Sequence, residues 1–356
     1  MPAKAAVVRS QNLLATDDEL GATSKSLYGD HKARISSNVH HIHDRVRFQS
    51  YGAAIQNCMK GKTVLHLGCG MGLLTMMAAR AMAKHVVGVD TSAIVKPAAK
   101  IAEANKLTNL TFVQGKAEEA KLPIEKFDVI MCEWMGAFLI NEPILKELLY
   151  CQQHYLAEGG IVCPDSSSIH VVGITDYPYY HDTCDYWDNV YGFNMKAMKP
   201  LVMQEASCCS IPKQCIATNS YLAHNVNIEA LAKKYIAATT PEEKAAVFSF
   251  SANFVIKASK KCTVHFITFY IDCVFNNPSD PGANFVIGFH PGGRNTFTEV
   301  SVPLNEFLPV NAGDEITGSF SVRPSQKPGT TLLDVTARID NAVTKIETTG
   351  SYNYTA

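Results

Sequence analysis

Residues 63–72 read Thr63-Val64-Leu65-His66-Leu67-Gly68-Cys69-Gly70-Met71-Gly72. A short apolar run passes straight into three glycines at alternate positions, and Leu73–Met82 then shows helical spacing. That order predicts a buried strand turning into a helix, the opening unit of a parallel α/β sheet. Outward from it, Val46–Cys58 predicts a preceding helix. Val86-Val87-Gly88-Val89 predicts a second strand ending at Asp90, and Ile94–Asn105 a helix. Leu110–Gln114 and Phe127–Met131 predict further strands, Pro143–Tyr155 a helix, and Gly160–Cys163 a fifth strand before Pro164. Strands without polar alternation, separated by helices, imply a sheet covered on both faces.

Beyond Pro164 the pattern changes. Ser168–Thr175, Ala217–Ala223, Val247–Ile256, Thr263–Phe275, Phe285–Phe289, Glu315–Val322 and Leu332–Ile339 predict strands punctuated by Pro and Gly, as in an antiparallel sandwich or barrel. Two helical inserts interrupt them, the aromatic stretch Tyr177–Phe193 and Asn227–Ala246. In the latter, Thr240-Pro241-Glu242-Glu243 supplies a helix N-cap, a Pro at the first position and acids in the first turn. The chain of 356 residues therefore divides into a polar N-terminal segment (1–43), an α/β domain (44–163) and a β domain (164–356).

Composition narrows the function. Lys+Arg is 32 and Asp+Glu 33, a net charge of -1, which argues against attachment to nucleic acid by bulk charge. Eleven cysteines are scattered without a CxxC pair, so neither a disulfide framework nor a structural zinc site is expected, and a reducing cytoplasmic or nuclear compartment is. No signal peptide is expected, and no apolar run approaches the roughly 20 residues that span a membrane. His40, His41 and His43 cluster without a completing carboxylate or Cys, so a metal site and a solvated helix face both remain open, the latter favoured.

Two constellations carry chemistry. Gly68, Gly70 and Gly72 fit either a tight strand–helix turn or a backbone that lets a ligand approach closely. Asp90 stands at the end of the next strand, where a carboxylate can accept from a ribose diol. The full dinucleotide fingerprint is absent because Leu73 occupies its next position, which points to a nucleoside cofactor without pyrophosphate, S-adenosylmethionine. Its adenine would lie near Gln114–Glu119, with Glu118 accepting from the exocyclic amine. The second constellation is Cys132-Glu133-Trp134-Met135-Gly136 with Glu142 beyond it. Two carboxylates beyond a central strand could clamp a guanidinium, or Glu142 could merely start the next helix before Pro143.

The stretches VLHLGCGMG, VVGVD, QGKAEEAKLP, CEWMGAFLINEPIL and DYWDNVYGFNM together resemble the type I protein arginine methyltransferases over about residues 44–340. The resemblance implies a Rossmann-like S-adenosylmethionine domain, a β-barrel domain and a helical dimerisation arm at about 177–201, with Tyr186, Trp187, Val190, Tyr191 and Phe193 as its contact residues. It implies that Arg47 binds the methionine carboxylate, that Asp90 takes the place of a ribose-binding acid, and that Glu133 and Glu142 bind the substrate arginine. Several positions depart from the family. The YFxxY lid appears as Tyr28-Gly29-Asp30-His31-Lys32, leaving Gly29 and Lys32 where aromatics belong. His66 replaces a strand-end acid, His41 a pocket methionine, and Thr296 a histidine that pairs with Asp44. These departures imply a degenerate paralogue, a prozyme that joins an active arginine methyltransferase as a hetero-oligomer (a dimer or a dimer of dimers), its cofactor site vestigial. The substrates of the assembly would be Arg/Gly-rich RNA-binding proteins, with no membrane or direct nucleic-acid partner. The alternative is an active enzyme with a divergent lid, using Glu133 and Glu142.

Overall fold

The structure, a computed structural model, describes residues 35–140, 144–276, 285–288, 299–325, 330–340 and 345–355. Gly29, Lys32, Glu142 and Thr296 lie outside the described residues. The helices are α1 (Ile35–His43), α2 (Arg45–Cys58), α3 (Leu73–Arg80), α4 (Val95–Ala104), α5 (Ile144–Tyr155), α6 (Tyr177–Thr183), α7 (Lys199–Val202), α8 (Ile228–Ala237) and α9 (Pro241–Ala246). The first five strands are β1 (Thr63–Leu67), β2 (His85–Asp90), β3 (Leu110–Gln114), β4 (Phe127–Cys132) and β5 (Leu156–Cys163). They form one parallel sheet in the order β3-β2-β1-β4-β5. The chain reverses direction of travel across the sheet between β1 and β4, so the crevice beyond their carboxyl ends is where such a sheet takes a ligand. Val64, Leu65, Leu67, Val86, Val87, Val89, Ile130 and Met131 are fully buried, as both-faced coverage requires. Thr63 and Asp128 lock the opposite end of the central strands β1 and β4, where Asp128 Oδ2 accepts from Thr63 N (2.8 Å) and Oγ1 (2.9 Å).

Ten further strands follow, β6 (Ser166–Ile174), β7 (Ser207–Cys209), β8 (Tyr221–Asn227), β9 (Phe250–Lys257), β10 (Cys262–Phe275), β11 (Phe285–Gly288), β12 (Glu299–Val310), β13 (Glu315–Pro324), β14 (Thr330–Asp340) and β15 (Lys345–Thr355). They build two antiparallel sheets, β7-β12-β10-β6-β8 with β11 beside β10, and β15-β14-β13-β9. Contacts of β8 with β9 and of β12 with β15 close the two sheets toward a barrel. Phe254, Phe269, Phe320, Ile316, Val322 and Val335 fill the space between them.

The N-terminal segment ends in helix α1, where His41 and His43 lie exposed on a helix as the favoured reading has it, and no cluster of metal-ligating side chains exists among the described residues. Other sequence expectations are corrected. The strand expected over Ala217–Ala223 begins only at Tyr221, because Thr218 is spent on side-chain contacts: its Oγ1 accepts from Gly173 N and donates to Asn219 O. Strands β7, β12 and β15 were not expected. The aromatic insert is not one helix. Asp176 caps α6 by accepting from Tyr179 N, a single-turn helix follows over Asp185–Asp188, and Val190–Phe193 makes a tight turn with Tyr191 and Gly192 at positive φ. The second insert is two helices; Thr240 is the N-cap expected from sequence, and Glu243 makes that cap reciprocal. No described helix is long and apolar enough to cross a membrane.

One glycine of the barrel is fixed by space. A Cβ on Gly318 would sit 2.3 Å from both the Thr336 carbonyl oxygen and the Phe254 ring. Gly318→Ala should therefore cost about 1–3 kcal/mol, read as a lowered urea midpoint with unchanged slope. An unshifted midpoint would show that β13 has room to move.

Candidate functional site

The glycine turn between β1 and α3 is built on three left-handed residues, with φ of 66° at Gly68, 53° at Gly70 and 78° at Gly72. Two of them also answer to this chain's own packing. A Cβ on Gly68 would meet Ile144 Cδ1 at 2.6 Å, and one on Gly72 would meet the Phe112 ring at 2.4 Å. The tight-turn reading thus accounts for Gly68 and Gly72 without a ligand.

Asp90 ends β2 facing this turn. Its Oδ2 accepts from Gly70 N (2.9 Å), and its Oδ1 accepts from Ser92 N (2.9 Å) and Ser92 Oγ (2.7 Å). A carboxylate has about four acceptor positions, so three donors leave about one for anything else. A ribose diol needs two. Ser92 was missed from sequence because nothing marks a serine two residues past a strand as the partner of that strand's last acid.

His66 stands at the buried end of β1, where the family resemblance placed an acid. Its Nδ1 is 2.7 Å from Thr75 Oγ1, and its Nε2 is buried with no hydrogen-bond partner. Burial lowers its pKa to about 3, so the ring is neutral at physiological pH. A neutral ring offers no counter-charge to a cationic sulfonium or ammonium.

At the end of β4, Glu133 faces α2. Asp44 caps that helix by accepting from Arg47 N (3.1 Å), and its Oδ2 lies 3.9 Å from Arg47 Nε. Arg47 Nη1 lies 3.4 Å from Glu133 Oε1, a long contact that does not reach hydrogen-bond geometry. The Glu133 side chain keeps 28% of its surface open, yet it sits deep enough that burial raises its pKa, against the pull of Arg47 and with Asp44 adding to the rise. Tyr51, one helical turn beyond Arg47, is wholly buried beside this group, and its hydroxyl has no hydrogen-bond partner. Burial, then the Glu133 charge, hold its phenol well above the usual range. The spacing of Arg47 and Tyr51 on one helix face was a legible signal for that residue. Behind Glu133, Trp134 is fully buried and donates Nε1–H to Pro164 O (2.9 Å), tying the loop to the start of the barrel.

The loop after β3 carries Glu118, exposed and 4.0 Å from Lys116 Nζ. Its neighbour Ala117 donates its N–H to Glu147 Oε1 on α5 at 2.6 Å, and Ala117 O accepts from Tyr155 OH at 3.2 Å. Glu147 was not singled out from sequence, since an acid in a helix's first turn is explained by the helix dipole alone. The structure thus brings Arg47, Gly68, Gly70, Asp90, Glu118 and Glu133 to one end of the parallel sheet. The polar groups among them that a nucleoside cofactor would use are largely paired within the chain.

The aromatic insert divides in two. At its base, Tyr179, Tyr180 and Cys184 pack on Phe266, Phe307 and Ile211 of the barrel. Lys199 reaches Asp185 by an ion pair that closes the insert on itself. At its tip, Tyr191 is 92% and Phe193 73% exposed, with Tyr186 and Leu201 also open. Trp187 is half-buried and donates to Thr183 O, so it serves the insert itself, and Val190 bridges to Phe193.

Comparisons with known proteins agree with this architecture. Residues 64–160 match a family described as a methyltransferase domain, and residues 165–338 the arginine methyltransferase oligomerization subdomain. The chain is 34% identical to protein arginine N-methyltransferase 1 of Schizosaccharomyces pombe, over 86% of this chain and 87% of that protein. It is 48% identical to a chain of the Trypanosoma brucei PRMT1 enzyme–prozyme heterotetrameric complex with AdoHcy, with a TM-score of 0.83, covering 90% of this chain and 99% of that one. Protein arginine methyltransferase 10 of Arabidopsis thaliana shares the fold at a TM-score of 0.72 and 18% identity, over 90% of this chain and 97% of that one.

The neutral, buried His66 gives a pH signature. Its folded pKa of about 3 lies below the unfolded value near 6.5, so as pH falls below about 6.5 the unfolded chain takes a proton that the folded chain refuses. Stability is lost through that window as pH drops, by about 2 kcal/mol between pH 7 and 5 from this group. His66→Asn should remove that increment from denaturation curves at the two pH values. Equal pH dependence in both proteins would refute the assignment.

Proposed function

Because the chain belongs to the type I protein arginine N-methyltransferase family, we propose that its own task is regulatory: it is a prozyme that assembles with a catalytically active arginine methyltransferase and raises that partner's activity. The observation that carries this reading is Asp90, whose two oxygens already accept from Gly70 N, Ser92 N and Ser92 Oγ. His66 supports it by supplying a neutral ring at the cofactor's cationic end. Arg47 supports it because its guanidinium lies between the carboxylates of Asp44 and Glu133. With the acid and the arginine so placed and no counter-charge at His66, S-adenosylmethionine is held weakly or not at all. Orientation and electrostatics supply most of a methyl transfer, so without a held cofactor there is no turnover.

The solved relative from Trypanosoma brucei, at 48% identity, comes from an enzyme–prozyme heterotetramer, and this reading assigns that kind of assembly here. The exposed tip of the insert, Tyr191 and Phe193, offers rigid aromatic anchors of the kind that dominate interface energies. The substrates would be Arg/Gly-rich RNA-binding proteins of the cytoplasm or nucleus, modified by the partner.

Calorimetric titration of the purified chain with S-adenosylhomocysteine should give no saturable binding. Addition of the chain to its active paralogue should raise methylation of an Arg-Gly-rich peptide. Submicromolar cofactor binding, or methylation by this chain alone, would overturn the reading. The double change Tyr191→Ala with Phe193→Ala should leave folding stability within about 0.5 kcal/mol, since neither ring is packed. It should weaken the hetero-oligomer in sedimentation velocity, and an unaltered assembly would move the interface elsewhere.

A further inference from the structure

The base of an adenine nucleoside is recognised along an edge where the ring nitrogen N1 accepts and the neighbouring exocyclic amine donates. A complementary protein edge needs an N–H beside an acceptor. After β3, Ala117 N–H followed by the Glu118 carboxylate supplies that pair. In this chain the donor half is taken. Glu147, from the first turn of α5, places Oε1 at 2.6 Å from Ala117 N. The same helix holds the other side of the residue, with Tyr155 OH on Ala117 O at 3.2 Å. Ala117 is buried, and Glu147 is half-buried, with burial raising its pKa and the Ala117 N–H opposing the rise.

We propose that Glu147 is an internal surrogate for the adenine ring, occupying the backbone donor that an adenine nucleoside would need and excluding that class of ligand. The exclusion has two parts. A charged acceptor on an N–H makes one of the stronger protein hydrogen bonds, and an entering base must break it. The N1 lone pair of that base would then face an anionic oxygen at short range, a repulsive contact. The proposal rests on the regulatory reading above and names one cause of it that is independent of Asp90, His66 and Arg47. It also accounts for an acid whose charge is partly desolvated with no cation among its hydrogen-bonding partners.

The test uses the full chain and two probes, adenosine and S-adenosylhomocysteine, titrated calorimetrically into the wild type, Glu147→Ala, Glu147→Ser and Glu147→Gln. Adenosine isolates the base and ribose from the methionine end. The Ala and Ser variants should bind both probes measurably, about tenfold or more above the weakest affinity the wild-type titration would detect. Glu147→Gln keeps a carbonyl acceptor on Ala117 N–H but loses the charge, and should bind more tightly than the wild type and less tightly than the Ala variant. Amide exchange at Ala117 should speed up in the Ala variant and slow again when adenosine is added. If the wild type binds weakly and neither small variant gains affinity, the surrogate is refuted and the regulatory reading stands. If the wild type itself binds S-adenosylhomocysteine at submicromolar level, the regulatory reading fails and the surrogate with it.

Discussion

A carboxylate can accept only a few hydrogen bonds, and at the open end of this parallel sheet the chain uses nearly all that Asp90 has. Gly70 N–H and the two donors of Ser92 converge on it. Bonds to an ionised acceptor are about twice as strong as neutral ones, so the glycine turn is fixed by the acid at the end of the next strand. That constraint sets much else. It holds the three left-handed glycines in place, which lets Ile144 and Phe112 pack where any Cβ would collide. The turn at the crevice is thereby held by the chain's own groups.

The same economy appears at the join of the two halves. Trp134 belongs to the loop that carries Glu133, and its indole N–H reaches Pro164 O at the entry to the barrel. Tyr51 of α2 meets Phe275 of β10 edge-on, with ring centroids 5.2 Å apart. Phe138 of the loop beyond Glu133 likewise meets Phe269. The acidic loop is thus clamped between the sheet domain and the barrel by aromatic packing, and its shape serves the assembly of the halves as much as any ligand.

The parallel sheet was legible almost residue by residue, because each buried strand is a continuous apolar run bounded by turn residues. The barrel was legible only where its strands are apolar. Strand β12 escaped notice because Pro303 and Pro309 interrupt it, and a proline inside an apparent strand signals a turn or an edge. Here the sheet accommodates it with a register shift in the neighbouring β10, between Val264 and Phe266. Strand β15 escaped because Lys345–Thr355 is mostly polar, as suits a strand at the end of its sheet, paired with β14. At the site, sequence named the members and missed the pairings. Nothing in the spacing of Asp90 and Ser92, or of Ala117 and Glu147, tells which donor a carboxylate will choose, since that depends on how α5 and the turn are brought together in space.

Pairing also explains why Arg47 and Glu133 persist in a chain read as regulatory. Arg47 is buried between Asp44 and Glu133, and an isolated buried charge is expensive. Removing one partner of such a group typically costs about 3–5 kcal/mol, because the remaining charge is left uncompensated. That is a large share of the stability of an ordinary domain. The family's arginine and its first glutamate are therefore held by the physics of burial whether or not a methyl group is ever transferred. Their presence says little about catalysis. On the regulatory reading, a group whose loss carries no such penalty, such as the acid that the family resemblance places where His66 stands, is free to change.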